Sequence, residues 1–293
     1  MEAAEPHRVV LEDGTTLVIF DWPPASQPSR ATLLFAHATG FHARCWDQVI
    51  AELPDCRSLA LDQRGHGRST GGMPVRWHQF GRDLATVVRD LDLQDVTGIG
   101  HSMGGHAMTE AAALEPSRFR RLILIDPVIG SPGWYAGARR ERFPGEHPVA
   151  RRRAHWSSAA AMIERLRDRS PFDTWDERVL HDYCTHGLLP DPSGHGYVLG
   201  CHPQVEAEVY MTSAGNRDIY ERVRSLQIPV LVIRARQAGP GESIVDFRVS
   251  PTWPELASQF ADGRDLYLPE QSHFLPMEHP TKVAQIIRHE LVS

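Results

Sequence analysis

Short apolar runs alternate with amphipathic stretches along most of this chain, and that alternation carries the first structural information. Val9-Val10-Leu11 and Thr16-Leu17-Val18-Ile19-Phe20 flank a turn at Asp13-Gly14 and predict an antiparallel hairpin. Strand-type runs follow at 31–37, 57–61, 96–101 and 121–125, and again at 228–233 and 265–268. Between them, helical spacing predicts helices near 44–53, 77–91, 103–116, 254–261 and 280–291. Strands alternating with helices predict an α/β fold: a mostly parallel, doubly wound sheet opened by two antiparallel edge strands.

Residues 128–215 break the alternation. They hold a charged helix near 149–169, a second near 175–186 and a Gly/Pro-rich turn at 190–196. This predicts a core of 1–127 and 216–293 with a helical cap inserted at 128–215. Trp134, Tyr135, Trp156, Phe172 and Trp175 fall in the insertion and are candidates to line a pocket there, although an aromatic residue also serves to pack cap against core. Arg139-Arg140 and Arg151-Arg152-Arg153 could meet an anionic substrate, but the expectation is solvated helix faces.

At one junction the pattern acquires chemistry. Gly100-His101-Ser102-Met103-Gly104 reads G-x-S-x-G between a predicted strand and a predicted helix. A serine on so sharp a turn tolerates only very small neighbours two positions away, and it stands over a helix N-terminus that favours developing negative charge. His273 lies in a loop beyond the last predicted strand, where an imidazole can swing over the serine as general base. His279, just before Pro280 at the next helix, is the rival. An oxyanion needs two N–H groups: Met103 follows the nucleophile, and Thr39 sits in the loop after the strand 31–37. His37 and Phe41, at either end of that loop, join the candidate substrate contacts.

Four segments together resemble the α/β-hydrolase superfamily, in its capped serine-hydrolase, esterase- or lactonase-like branch. They are Phe35-Ala36-His37-Ala38-Thr39-Gly40-Phe41, Asp62-Gln63-Arg64-Gly65-His66-Gly67-Arg68-Ser69, Gly100 to Gly105, and Ser272-His273-Phe274-Leu275-Pro276-Met277-Glu278. The resemblance implies a Ser, acid, His triad that needs no cofactor. Serine rather than aspartate at 102 separates the chain from the dehalogenase and epoxide-hydrolase branches. The acid departs from the commonest pattern. The run Arg234-Ala235-Arg236-Gln237-Ala238-Gly239 after the strand 228–233 offers no carboxylate, and Glu242 and Asp246 come late. Asp126, ending the strand before Pro127, matches a second acid position used in the family. It is assigned here as the residue that orients His273, with Glu242 and Asp246 as alternatives.

The resemblance implies a hydrolase acting through Ser102, His273 and Asp126 on an ester, lactone or related acyl bond of a small, mainly apolar substrate. C–C bond hydrolysis, perhydrolysis and ligand binding with little turnover remain open. Composition narrows the field further. The 293 residues are 41% hydrophobic and 23% charged with a net charge of −6, which gives no general attraction to nucleic acid. Neither a secretory leader nor a bilayer-spanning run is apparent. The four cysteines and 16 histidines show no metal-ligand spacing, so no metal, no membrane partner and a cytoplasmic location are expected.

Overall fold

A computed structural model describes residues 6–73, 76–136, 147–239, 242 and 248–292. The chain runs β1 (His7–Val10), β2 (Thr16–Trp22), β3 (Thr32–Ala36), α1 (Asp47–Ala51), β4 (Arg57–Asp62), α2 (Trp77–Asp90), β5 (Val96–His101), α3 (Met103–Leu114) and β6 (Phe119–Ile125). Next come α4 (Pro132–Ala136), β7 (His155–Trp156), α5 (Ala159–Leu166), α6 (Glu177–His186), β8 (Leu188–Pro190), β9 (Tyr197–Leu199) and α7 (Pro203–Met211). The chain then continues through α8 (Ile219–Ser225), β10 (Val230–Arg234), β11 (Gly263–Tyr267), α9 (Leu275–Glu278) and α10 (Pro280–Glu290).

Eight strands form one sheet in the order β1-β2-β4-β3-β5-β6-β10-β11. β1 and β2 pair antiparallel at one edge, β2 joins β4 antiparallel, and every other pairing is parallel. Both faces are covered, so the central strands are buried along nearly their whole length, and their side chains sort by parity. In β6, Leu122 and Leu124 enter the cluster that packs against α2 and α3, while Ile123 and Ile125 face α1 and α10. In α2, Phe80, Leu84, Val87 and Val88 recur on one buried stripe. α3 is buried around almost its whole girth, because it runs beneath the centre of the sheet.

The element order follows the sequence pattern, with three differences. The stretch 254–261 holds only a short 3-10 turn, Ala257–Gln259. The charged stretch 149–169 divides into a 3-10 turn at Pro148–Arg151, the short strand β7 and α5, whose start is capped by the Ser158 hydroxyl accepting from Ala161 N–H. The insertion also holds a three-stranded sheet, β7-β9-β8, and the helix α7, neither of which the periodicity indicated. Its strands have two or three residues each, too few to show alternation.

Candidate active site

Ser102 stands between β5 and α3 with φ 57° and ψ −118°, a conformation an L residue adopts only when its surroundings impose it. Its N–H donates to the Ile125 carbonyl at 3.0 Å, and its own carbonyl accepts from Gly105 and Val128. The turn closes because Gly104 lies against the end of β3, where a methyl group would run into the Ala36 carbonyl.

The hydroxyl of Ser102 meets Nε2 of His273 at 3.0 Å. Nδ1 of the same ring donates to Asp126 Oδ2 at 2.5 Å. Asp126 is fully buried at the end of β6, with φ 46°. Its other oxygen accepts from Ala235 N–H at 3.0 Å, from the Ser250 hydroxyl, and from Thr252 Oγ1 at 3.3 Å. Burial alone would push this carboxyl up, but the bonds from His273, Ser250 and Ala235 hold it below its ordinary range. Of the alternative acids, Glu242 instead accepts from Arg236 and from Gly239 N–H, each at 2.7 Å, and Asp246 lies outside the described residues.

The loop after β3 lies beside this group. Thr39 is buried, and among the described residues neither its N–H nor that of Met103 has an acceptor in the protein. His37 does not face the opening. Its ring is fully buried, with Nδ1 donating to Ala38 O at 2.8 Å and Nε2 accepting from Gln63 N–H at 2.9 Å. It braces the loop, and the Gln63 amide adds a bond to the His37 carbonyl at 2.6 Å. The segment from Asp62 to Ser69 is therefore scaffolding. The Asp62 carboxylate accepts from Ala43 N–H and Arg68 N–H, each at 2.7 Å, and burial raises its pKa to about 6.

A cavity of about 340 Å³ opens between residues 149–210 and the segments that carry Phe41 and Phe274. Phe41, Trp156, Phe172 and Trp175 line it, together with Phe274, the neighbour of His273. Phe41, Trp175 and Phe274 form one aromatic layer, with ring centroids 5.4 to 6.3 Å apart. Trp134 and Tyr135 do not belong to this cavity. They pack on the core beside α8, Tyr135 lying 5.8 Å from Tyr220. Both are packing residues.

Three contributors were not foreseen. Ser250 and Thr252 reach Asp126 from the loop before β11, and no spacing rule marks them. His101, the second residue of G-x-S-x-G, is fully buried and donates from Nε2 to the His273 carbonyl at 2.8 Å. Burial, with His273 beside it, lowers its pKa to about 3, so it stays neutral. Ligand-type side chains approach one another at Asp47, Asp182 and His186, but Arg44 pairs with Asp47 and Gln48 donates to Asp182. Among the described residues no helix is long and apolar enough to cross a membrane.

The model of the alpha/beta hydrolase family matches residues 33–286, most of the chain and every element of the site. The chain belongs to this family. It is 29% identical over 225 residues to 3-oxoadipate enol-lactonase 2 of Acinetobacter baylyi, covering 75% of this chain and 76% of that protein. It is 36% identical to the monoglyceride lipase of Rattus norvegicus over 132 residues, 42% of this chain and 43% of the lipase. Among solved structures, E-2-(acetamidomethylene)succinate hydrolase superposes with a TM-score of 0.74 at 18% identity, with both chains fully covered, a likeness of fold.

Proposed function

We propose that this hydrolase cleaves an ester, lactone or related acyl bond by a serine mechanism that uses Ser102, His273 and Asp126. The observation that carries the reading is the unbroken hydrogen-bonded chain from the Ser102 hydroxyl through both nitrogens of His273 to Asp126. Ser102 Oγ attacks the acyl carbon as its proton passes to Nε2. The N–H groups of Thr39 and Met103 receive the oxyanion. The imidazolium then returns the proton to the leaving oxygen, and water, deprotonated by the same His273, releases the acid from the acyl-serine. Asp126 holds Nδ1 protonated throughout and stabilises the transient cation. Lactonase and lipase relatives support acyl chemistry of this kind. The insertion at 128–215, in this reading, is the cap that shapes the pocket. The free, buried state of all four cysteines suits the reducing cytoplasm.

Ser102→Ala tests the mechanism. Hydrolysis of p-nitrophenyl esters and covalent labelling by a fluorophosphonate should both vanish while the circular dichroism spectrum stays that of the parent. Labelling retained in the alanine variant would remove Ser102 from the mechanism.

A further inference from the structure

The cavity beside the aromatic layer is not uniformly apolar. Four arginines line it, Arg152, Arg153, Arg165 and Arg169, against a single carboxylate, Glu206. The chain as a whole carries a net charge of −6, so this excess of cations is local and not compositional.

Arg152 is the deep member. Contrary to the expectation of a solvated face, its side chain is only 25% exposed. It pairs with Glu206 at 2.7 Å and donates to the Tyr183 hydroxyl at 3.0 Å. A guanidinium has five N–H donors, so these two contacts leave several for a ligand. Glu206 in turn packs directly on Gly40, the residue after Thr39, so closely that a Cβ at position 40 would collide with the carboxylate. The Arg152–Glu206 pair therefore adjoins the loop that carries the Thr39 N–H.

The other three lie toward solvent. Arg153 stacks over the Trp156 ring at 4.4 Å. Arg165 and Arg169, on α5 and just beyond it, have no carboxylate partner among the described residues, whereas Arg167, two positions away, pairs with Glu177 at 3.0 Å. Unpaired cations at the mouth of an apolar cavity raise the local concentration of anions and their rate of entry.

We propose that the site selects acyl substrates bearing a free carboxylate remote from the scissile bond. The apolar segment of the substrate lies along Trp156, Phe172 and Trp175, and the carboxylate is held by Arg152 with Arg165 and Arg169 at the rim. A carboxylate fits better than a phosphate dianion because Glu206 already offsets much of the Arg152 charge, which leaves the pair suited to a single negative charge. This inference rests on the proposed serine hydrolysis for its orientation but not for its binding site.

Two esters of equal acyl length separate the possibilities: the mono-p-nitrophenyl ester of glutaric acid and p-nitrophenyl valerate. The glutarate ester should show a kcat/KM about tenfold higher at low salt. That ratio should fall as ionic strength rises. It should drop toward one in Arg152→Gln and in the double variant Arg165→Gln/Arg169→Gln, and Arg165→Lys/Arg169→Lys should keep most of it. Loss of Arg152 leaves Glu206 buried without its cation, so the rim variants carry the test if Arg152→Gln fails to fold. A ratio at or below one in the parent, or one indifferent to both salt and the rim variants, overturns the proposal. Calorimetric titration of the Ser102→Ala chain with monomethyl glutarate reads the same site without turnover. Binding weakened by the rim substitutions supports it, and no binding overturns it. Failure to hydrolyse either ester would count against the serine mechanism and leave the titration to decide the carboxylate site.

Discussion

The N–H of Ala235 donates to the carboxylate of Asp126 across the junction of β10 and β6 at 3.0 Å. β10 is the strand after which the family most often places its acid. Here its end supplies a backbone donor to a carboxylate on the neighbouring strand. Ser250 and Thr252 complete the cradle, so Asp126 is fixed from three sides before His273 approaches.

The consequence is testable. Asp126→Asn keeps the shape of the side chain but favours the wrong imidazole tautomer, and by analogy with serine proteases kcat should fall on the order of ten-thousand-fold. Glu242→Gln and Asp246→Asn should remain within a few-fold of the parent. Glu242 is partly exposed and held by Arg236 and Gly239, away from the imidazole. Steady-state kinetics of the three variants side by side decides. A collapse at 242 or 246 with activity retained in Asp126→Asn would move the acid to the later loop.

Much of this was legible in the chain because it depends on residues that repeat or punctuate. The unbroken apolar run Leu122 to Ile125 announces a buried strand, and G-x-S-x-G between strand and helix announces the turn at Ser102. Other features are set by tertiary contact alone. Ser250 and Thr252 look like ordinary loop residues until the fold brings them to Asp126. Trp134 and Tyr135 look like pocket aromatics until α8 covers them. Arg152 reads as one of a basic run until Glu206, 54 positions later, is seen to claim it.

His101 should act as a positioning residue, since it holds the His273 carbonyl and its ring is fully buried. In His101→Phe that buried carbonyl loses its donor, at a cost of about 1–3 kcal/mol in stability. The loop bearing the imidazole loosens with it. We expect kcat to fall by roughly tenfold, with KM little changed. A purely structural role would lower stability and leave kcat of the folded fraction untouched, so kcat normalised to fluorophosphonate-titrated sites distinguishes the two.

Stability should decline steeply in acid, chiefly because of buried imidazoles. Burial lowers the pKa of His42 and His101 to about 3 and of His66 and His106 to about 4. Each stays neutral in the folded chain and is protonated near 6.5 once unfolded, so below 6.5 the unfolded state binds more protons and folding weakens as pH falls. Asp62 and Asp47 act in the opposite sense. Burial raises both to about 6, so between about 6 and their unfolded value of 3.8 the folded state holds the extra protons. Burial lowers His37 and His186 as well and raises Asp182 and Glu206, so the lowered imidazoles still outnumber the raised carboxyls, and every tenfold difference in proton affinity between the folded and unfolded chain is worth about 1.4 kcal/mol. Melting temperature should therefore fall continuously from pH 6.5 toward pH 4, and Asp126, held low, should add to the loss only below its unfolded pKa. A melting temperature flat or rising over that interval would contradict this balance.

Trp175 and Tyr135 should separate pocket from packing. Trp175 sits in the aromatic layer, its ring 5.6 Å from that of Phe274 and 5.4 Å from that of Phe41, so removing it enlarges the cavity that it lines. In Trp175→Ala the kcat/KM profile over a series of p-nitrophenyl esters should shift toward longer acyl chains, by about ten- to a hundredfold in relative preference for one or two methylenes. Tyr135 packs against Trp134 and Tyr220 in the core cluster that also holds Leu122 and Leu124 of β6. Tyr135→Ala should cost about 3–5 kcal/mol of stability, as loss of a buried aromatic does, and leave the profile in place. Denaturant titration beside the ester series measures both quantities for each variant. A profile that moves in Tyr135→Ala and stands still in Trp175→Ala would reverse the assignment of the two residues.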